Sequence, residues 1–378
     1  MLTPLSMKYF YIIAILCLVD AAAGNHLFAT RTNLPCSQKD SIASPYLPNG
    51  IFGSDEIIEI CLKGSIRKLF NDRKEEAAYY PLVISYTSPT GDSIAINIKA
   101  KTRGHFRRDK QNCSTPPLWL NFNKDSTCNT IFEGQDKLKL VTACREETYV
   151  LREYLVYKIY QLITEHSFKA RLVKVCYQEI KTSKKTKLRY GIILEDQNHM
   201  AKRNNALLIK RLNVQPQITN REKFLKMAVF QYLIGNTDWS VKYLHNIKLI
   251  SKLKLPSYIP VPYDFDHAGI VGTTYAHPAE ELKMQSVRER RYRGFCIQNP
   301  DEFIPIVEFF NGLQSKIYEL YTGNKLLSKA YLKKTIKYLD EFYETINDSK
   351  ARKRAFQYPC NPYGTGNVVI KGLKNRKK

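Results

Sequence analysis

Several common signatures are missing from this chain of 378 residues. Beyond its N-terminal segment it has no apolar run of about 18 residues, which excludes a polytopic membrane protein. It has no Cys-x-x-Cys pair and no His-Glu-x-x-His motif, which argues against a structural zinc site and a zincin protease. Neither a Gly-x-Gly-x-x-Gly loop nor a Walker A sequence occurs, and no repeat of fixed period is visible. Any chemistry must therefore come from side chains that no standard motif marks.

Acidic residues are scarce relative to basic ones. The chain has 59 Lys and Arg but only 35 Asp and Glu, which gives a net charge of +24. An excess of this size indicates anionic partners, such as a nucleotide, a nucleic acid, a phosphorylated glycan or an anionic membrane surface. No recognised nucleic-acid module is present, so we do not expect DNA or RNA binding. We expect an acidic or phosphorylated partner or protein substrate, with peripheral contact to an anionic surface as a further option.

The N-terminal 24 residues have the pattern of a secretory signal peptide. Lys8 precedes an apolar run from Tyr9 to Val19, and a stretch of small residues then offers a cleavage site after Ala23. A membrane anchor is the alternative, but the apolar run is short for a membrane span. We therefore expect an exported protein, located in the periplasm, at the cell surface or outside the cell.

The cysteine count agrees with export. Apart from Cys17 in the apolar run, eight cysteines remain, and an even number in an exported chain is typical of disulfides. Buried free thiols are the alternative. The connectivity does not follow from the sequence, but Cys113 and Cys128 flank a short loop and are one candidate pair.

Secondary-structure patterns change along the chain. The first half is mostly strand-like, with a hairpin turn at Ser88–Asp92 and one long helix at Thr148–Glu165. In the second strand of the hairpin, every other residue from Ile94 to Ala100 is apolar, and these residues share one face. The second half is mostly helical. One helix is predicted to stop at Gly235-Asn236, a small hairpin follows, and two long helices are predicted over about 300–347. We therefore predict an α+β fold with two lobes. The boundaries are 1–24 for the signal peptide, 25–55 for an N-terminal extension, 56–196 for a strand-rich N-lobe, 197–349 for a helical C-lobe and 350–378 for a basic tail.

Acidic and amide side chains concentrate where three segments end. Asp238 follows a buried-looking helix, Asn246 opens the next strand, and Asp264 and Asp266 close the strand after it. Oxygen ligands of this kind suit Mg²⁺ or Mn²⁺, so we assign Asn246, Asp264 and Asp266 to a metal. An Asp on a loop can also accept the proton of an attacking hydroxyl, and we assign Asp238 to that catalytic role. The alternative is that these acids only cap turns and helices.

The region from about 95 to 270 resembles the spore-coat protein H (CotH) family of atypical kinases. Short stretches carry the resemblance, in the family's order. They are Arg103-Gly104-His105-Phe106 for an Arg-Gly-Asn-Ser element, Leu140-Val141 with Val150-Leu151-Arg152-Glu153 for a strand and helix, Gly191-Ile192-Ile193-Leu194-Glu195 for a Gly-x-Tyr strand ending in an acid, Asn236-Thr237-Asp238 for an Asn-x-Asp loop, Asn246, and Tyr263-Asp264-Phe265-Asp266 for Trp-Asp-x-Asp. The resemblance implies a two-lobed kinase-like fold, ATP with Mg²⁺ or Mn²⁺, and phosphoryl transfer to a Ser or Thr hydroxyl of a protein.

The nucleotide-binding residues are less clearly marked than the acids. The family usually has lysines after the Arg-Gly element, but residues 113–118 contain none. Arg103 is one candidate, because Arg binds phosphate bidentately and the adjacent glycine lets backbone amides approach it. Lys139, with Glu153 as its ion-pair partner, is another, and Lys101 is an alternative. Glu195, at the end of a strand, is a candidate for an adenine pocket or simply begins a loop.

Two other functions remain open at this point. A metal-dependent phosphohydrolase would use Asp264 and Asp266 as nucleophile and acid/base, although such a pair normally lies near the start of its domain. A non-catalytic, kinase-shaped envelope protein would bind anionic surfaces through the net charge of +24. The basic run Ser286–Gly294 fits either an anionic substrate or a solvated helix face.

Overall fold

The computed structural model describes residues 50–252 and 255–363. The predicted signal peptide, nearly all of the predicted extension and the end of the basic tail lie outside these residues. The described strands are β1 (Ile58–Gly64), β2 (Tyr80–Thr87), β3 (Ser93–Thr102), β4 (Leu118–Phe122), β5 (Lys137–Thr142), β6 (Ala170–Glu179), β7 (Arg189–Leu194), β8 (Ala206–Ile209), β9 (Ile247–Lys252) and β10 (Leu255–Pro262). The described α-helices are α1 (Ile66–Asn71), α2 (Glu147–Ile163), α3 (Gln197–Arg203), α4 (Arg221–Ile234), α5 (Ile304–Thr322), α6 (Lys329–Asn347) and α7 (Ser349–Phe356).

Seven strands close into a barrel in the order β1-β2-β3-β4-β5-β7-β6. Neighbouring strands are antiparallel except β1 and β6, which run parallel and complete the barrel. Successive side chains in a strand point to opposite faces, so β3 buries Ile96, Ile98 and Ala100 while the residues between them face outward. The predicted β2–β3 hairpin and the predicted inner face of β3 are both confirmed.

The predicted two-lobed, kinase-like α+β fold is wrong. The strand-rich part is a closed barrel rather than a separate lobe, and all described residues lie in one compact unit. Strands β8, β9 and β10 form a second sheet within the part that we predicted to be mostly helical. The error has a physical reason. Local alternation predicts strands, but the pairing of β1 with β6 joins residues that are 115 positions apart.

Three disulfides join cysteines of the described residues: Cys61–Cys176, Cys113–Cys144 and Cys296–Cys360. The candidate pair Cys113–Cys128 is wrong, because Cys113 is bonded to Cys144. Cys61 lies opposite Cys176 in the β1–β6 pair, so one disulfide locks the parallel pair that closes the barrel. Disulfides in this number are typical of an oxidising, extracellular environment.

Helix α4 ends where the candidate site begins. Gly235, the residue that follows the helix, has a φ of 65°, a left-handed conformation that glycine adopts without strain. A Cβ atom there would lie 2.1 Å from the Tyr338 Oη, so close packing also requires glycine. The predicted helix stop at this position is confirmed, and so are the two long C-terminal helices α5 and α6. Within the described ranges, no helix has the length and apolar character needed to cross a membrane.

Candidate functional site

Five charged side chains from four parts of the chain meet beside β5. Lys139 lies on β5, Glu153 on α2, and Asp264 and Asp266 in the segment that follows β10. Arg107 comes from the loop between β3 and β4 and is within ion-pair distance of all three acids. Except for Asp264, these side chains are almost fully buried. The site is therefore a buried charge cluster with one carboxylate that reaches solvent.

Arg107 is the centre of this cluster. Its Nη2 lies 3.1 Å from Glu153 Oε2 and 2.8 Å from Asp266 Oδ2, and its Nε donates to the same Asp266 oxygen at 3.0 Å. Burial alone would lower the pKa of Arg107, but Asp266 and Glu153 outweigh it and raise that pKa well above its usual value. Asp266 also accepts a hydrogen bond from the Tyr275 Oη at 3.0 Å. Its predicted role as a metal ligand therefore competes with two protein partners.

Lys139 has an incompletely satisfied ammonium group. Its Nζ lies 3.5 Å from Asp264 Oδ1 and 5.6 Å from the centre of the Tyr263 ring. Although it is buried, the Nζ has no hydrogen-bond partner among the described residues. Burial lowers the pKa of Lys139 to about 8, and the charge of Asp264 opposes this shift. The predicted ion pair with Glu153 is not formed, because Glu153 is paired with Arg107 instead.

Asp264 is held in an uncommon backbone conformation. Its φ is 64°, and its N–H donates to the Tyr157 Oη on α2 at 2.9 Å. Burial raises the pKa of Asp264, but Lys139, Arg107 and Arg103 outweigh it and hold the pKa well below its usual range. The carboxylate therefore stays ionised, and its side chain is 32% exposed.

Arg103, predicted to bind phosphate, lies in the same neighbourhood. Its guanidinium carbon is 4.9 Å from the centre of the Trp119 ring, and its buried Nε has no hydrogen-bond partner among the described residues. Burial lowers the pKa of Arg103, and the charge of Asp264 opposes this shift. Arg103 and Lys139 thus both present unused donors next to one carboxylate.

Asp238 and Asn246 are brought together as the sequence predicted. The Asn246 Nδ2 donates to Asp238 Oδ2 at 3.0 Å and to the Asp238 carbonyl at 2.9 Å, and His245 Nε2 lies 2.8 Å from Asp238 Oδ1. Burial raises the pKa of Asp238, but the hydrogen bond and charge of His245 outweigh it and lower that pKa. Asp264 influences the same pKa, so the two aspartates are close enough to interact electrostatically. Because the amide nitrogen of Asn246 is committed to Asp238, its Oδ1 is the atom left for a cation.

The described side chains do not form a complete set of ligands for a metal ion. Across the described residues, no group of three or more His, Cys, Asp or Glu side chains is placed to hold one. Mg²⁺ is commonly bound by one or two carboxylates together with the phosphates of a substrate. Asp264 and the Oδ1 of Asn246 are oxygen donors of the kind that this arrangement uses.

Glu195 does not join the cluster. Its Oε1 accepts from Arg203 Nε at 3.0 Å, and its Oε2 accepts from Arg203 Nη2 and from the Lys169 N–H, both at 2.9 Å. These three hydrogen bonds engage both carboxylate oxygens. The geometry does not support a contact with adenine, and that role of Glu195 stays a prediction.

Sequence analysis missed several members of the site. No pattern marks Arg107 or Lys248 as a site residue, and Arg293 is marked only as a member of the basic run Ser286–Gly294. Lys248 Nζ lies 5.1 Å from the centre of the Tyr263 ring, and Arg293 has a buried Nε and Nη1 without hydrogen-bond partners in the described chain. Burial lowers the pKa of Arg293 to about 10, and Asp238 opposes this shift. The sequence signal that could have identified Lys248 is its position between the apolar Ile247 and Leu249 of a strand.

Comparisons with known proteins give little further guidance. No protein-family model and no curated protein matches the chain. Among solved structures, it is similar to the crystal structure of the Helicobacter pylori proinflammatory kinase CtkA. The sequence identity is 14% and the TM-score is 0.39, with 68% of this chain and 95% of that chain covered.

Proposed function

We propose that this protein is an exported kinase that transfers a phosphoryl group from ATP to a Ser or Thr hydroxyl of a protein, with Mg²⁺ or Mn²⁺. The proposal depends on the site and not on the overall fold. The observation that carries it is the buried Lys139 ammonium, which faces Asp264 and has no hydrogen-bond partner among the described residues. A buried charge without hydrogen bonds is costly, so this position favours an anionic ligand.

Three cations would contact the phosphates. Lys139 lies in ion-pair distance of Asp264, and Arg103 is close enough to lower the pKa of that carboxylate. Lys248 lies on β9, beside the Tyr263 ring. Burial and the charge of Arg103 lower the pKa of Lys248, which shows that the two cations repel each other. Phosphate oxygens would relieve that repulsion and supply the missing acceptors.

Asp238 would act on the acceptor. It is ionised and fixed by Asn246 and His245, so it would accept a hydrogen bond from the attacking hydroxyl. It would take up that proton as the hydroxyl oxygen bonds to the γ-phosphorus of ATP and the bond from the γ-phosphorus to the β,γ-bridging oxygen breaks, which releases ADP. Asp264 and Asn246 would hold the divalent cation, which neutralises the phosphate charge when bound. Arg107 would keep Glu153 and Asp266 neutralised, so that neither repels the nucleotide.

The phosphohydrolase hypothesis has less support. It needs Asp266 as a free acid/base, but Asp266 is bonded to Arg107 and to Tyr275. A carboxylate whose Oδ2 already accepts from a guanidinium and a phenol is a poor proton donor to a leaving group.

Nucleotide binding and phosphoryl transfer can be tested separately. ATP with Mn²⁺ at 100 times its dissociation constant should stabilise the wild-type chain by about 2.7 kcal/mol, a shift of a few degrees in melting temperature. Lys139→Met should lose this shift, whereas Lys137→Met, an exposed lysine at the start of the same strand, should keep it. Asp238→Asn should keep the shift but lose transfer of labelled phosphate to a generic acceptor protein. A shift that survives Lys139→Met, or its absence from wild type, contradicts the proposal.

A further inference from the structure

A second cationic groove lies between α6 and the segment that connects β10 to α5. It has a volume of about 380 Å³ and is lined by Arg288, Lys334, Lys337, Tyr338 and Glu341. Arg288 belongs to the basic run that the sequence left without a function. None of these residues belongs to the candidate active site. We call this feature the α6 groove.

The positive charges of the α6 groove are not neutralised by the protein. Glu341, the single acid in its lining, lies 3.5 Å from the Arg290 Nη1, a residue outside the lining. Within the described residues, no carboxylate lies in ion-pair distance of Arg288, Lys334 or Lys337. Lysines three positions apart on a helix repel each other, and a bound anion would remove this repulsion.

The groove is also well fixed on one side. Two guanidiniums lie close to the buried Tyr338 ring, with Arg290 at 3.5 Å and Arg288 at 4.9 Å from the ring centre. Arg290 is anchored by hydrogen bonds to the Tyr338 and Leu233 carbonyls. The Arg288 Nη1 donates to the Gly269 carbonyl at 3.3 Å, which leaves its other N–H groups for a ligand. An arginine held in place on an aromatic ring is preorganised to bind an anion.

We infer that the α6 groove is a binding site for a phosphate group. A planar guanidinium and two ammonium groups can together coordinate a tetrahedral anion with nearly two negative charges, whereas one carboxylate would leave most of the positive charge in place. The phosphate can come from two sources, free inorganic phosphate or a phosphorylated residue of a polypeptide. The inference is independent of the proposed kinase function, because the two sites share no residue.

Calorimetric titration of the full chain distinguishes the sources. The probes are inorganic phosphate, a short phosphoserine peptide and the same peptide without phosphate. Because phosphate can also enter the candidate active site, binding to the α6 groove is judged from the difference in affinity between the wild type and variants of the groove. Lys334→Gln with Lys337→Gln should weaken binding of the active probe about a hundredfold, which is about tenfold for each lost charge-assisted contact.

The matched control removes the same charge from the same helix. Lys329→Gln with Lys333→Gln alters two exposed lysines that do not line the groove, and it should change the affinity less than about threefold. Binding of a phosphate probe that the groove variant weakens and the control variant does not supports the inference, and whether inorganic phosphate, the phosphopeptide or both behave in this way identifies the source. Failure of both probes to bind at millimolar concentration, or equal affinity in wild type and the groove variant, overturns it. Arg288→Gln repeats the test from the opposite wall.

Discussion

Replacing Arg107 with methionine tests whether buried carboxylates depend on one guanidinium. The change keeps most of the side-chain volume but removes the charge. Asp264 retains Lys139 at 3.5 Å, whereas Glu153 and Asp266 lose the one cation in ion-pair distance within the described chain. The cost should therefore fall on Glu153 and Asp266.

The expected loss of stability is large for a single substitution. Removing one partner of a buried ion pair costs about 3–5 kcal/mol. Hydrogen bonds to charged groups contribute about 1.5–3 kcal/mol each, and Arg107 makes one to Glu153 and one to Asp266 through different nitrogens. Asp266 keeps its bond from Tyr275, and Glu153 can take up a proton, so we expect about 3 kcal/mol at pH 7.5.

Urea unfolding of the chain with its disulfides intact measures this loss. Arg108→Met is the control, because the Arg108 guanidinium donates to the Lys74 and Glu75 carbonyls, and its removal should cost about 1 kcal/mol or less. Adding Glu153→Gln to Arg107→Met should recover at least about 1 kcal/mol, since it removes one of the uncompensated charges. Equal losses in the two arginine variants, or no recovery in the double variant, would refute the reasoning.

Three further predictions concern stability. Burial raises the pKa of Glu153 from 4.5 to about 7, so its stabilising contribution is complete below pH 4.5 and is lost as the pH rises through 7; Glu153→Gln should remove up to about 3 kcal/mol of this pH dependence in urea unfolding between pH 4.5 and 8. Replacing Cys61 and Cys176 by alanine should cost about 4–5 kcal/mol, because that disulfide spans 115 residues, and reduction should lower the wild-type melting temperature but not that of the variant to the same extent. Gly235→Ala should destabilise the fold by at least about 1 kcal/mol through its φ of 65° and its contact with Tyr338; thermal unfolding should show partial recovery when Tyr338→Phe is added.

Local structure followed from the sequence where one face of an element is buried. The alternation in β3 predicted which residues enter the barrel, because a strand with one wet face must separate apolar from polar side chains. The stop at Gly235 was predicted for a similar reason, since a left-handed residue ends a helix and glycine adopts that conformation without strain.

The closure of the barrel did not follow from local patterns. It depends on the parallel pair of β1 and β6, and parallel strands need a long connection whose length the alternation does not encode. Cys61 and Cys176 marked both strands, but eight cysteines allow 105 pairings in a sequence without structural information. The two cysteines therefore indicate the closure of the barrel only once their pairing is known.

The candidate site was predicted in part. Asp238 and Asn246 follow regular elements, and the ends of regular elements are easy to locate in a sequence. Arg107 lies in an irregular loop, where no periodicity indicates which way a side chain points. Glu195 was assigned to a ligand because its position at a strand end was visible, whereas its partner Arg203, on the following helix, was not considered.

The arrangement of the cluster explains why positive charge is in excess around Asp264. Arg107, in the loop between β3 and β4, forms ion pairs with two buried acids, Glu153 on α2 and Asp266. Lys139 is thereby released from Glu153 and lies beside Asp264 together with Arg103, which leaves two cations next to one carboxylate. Positive charge is therefore in excess where a carboxylate also reaches solvent. Such a place is suited to an anion that brings its own divalent cation.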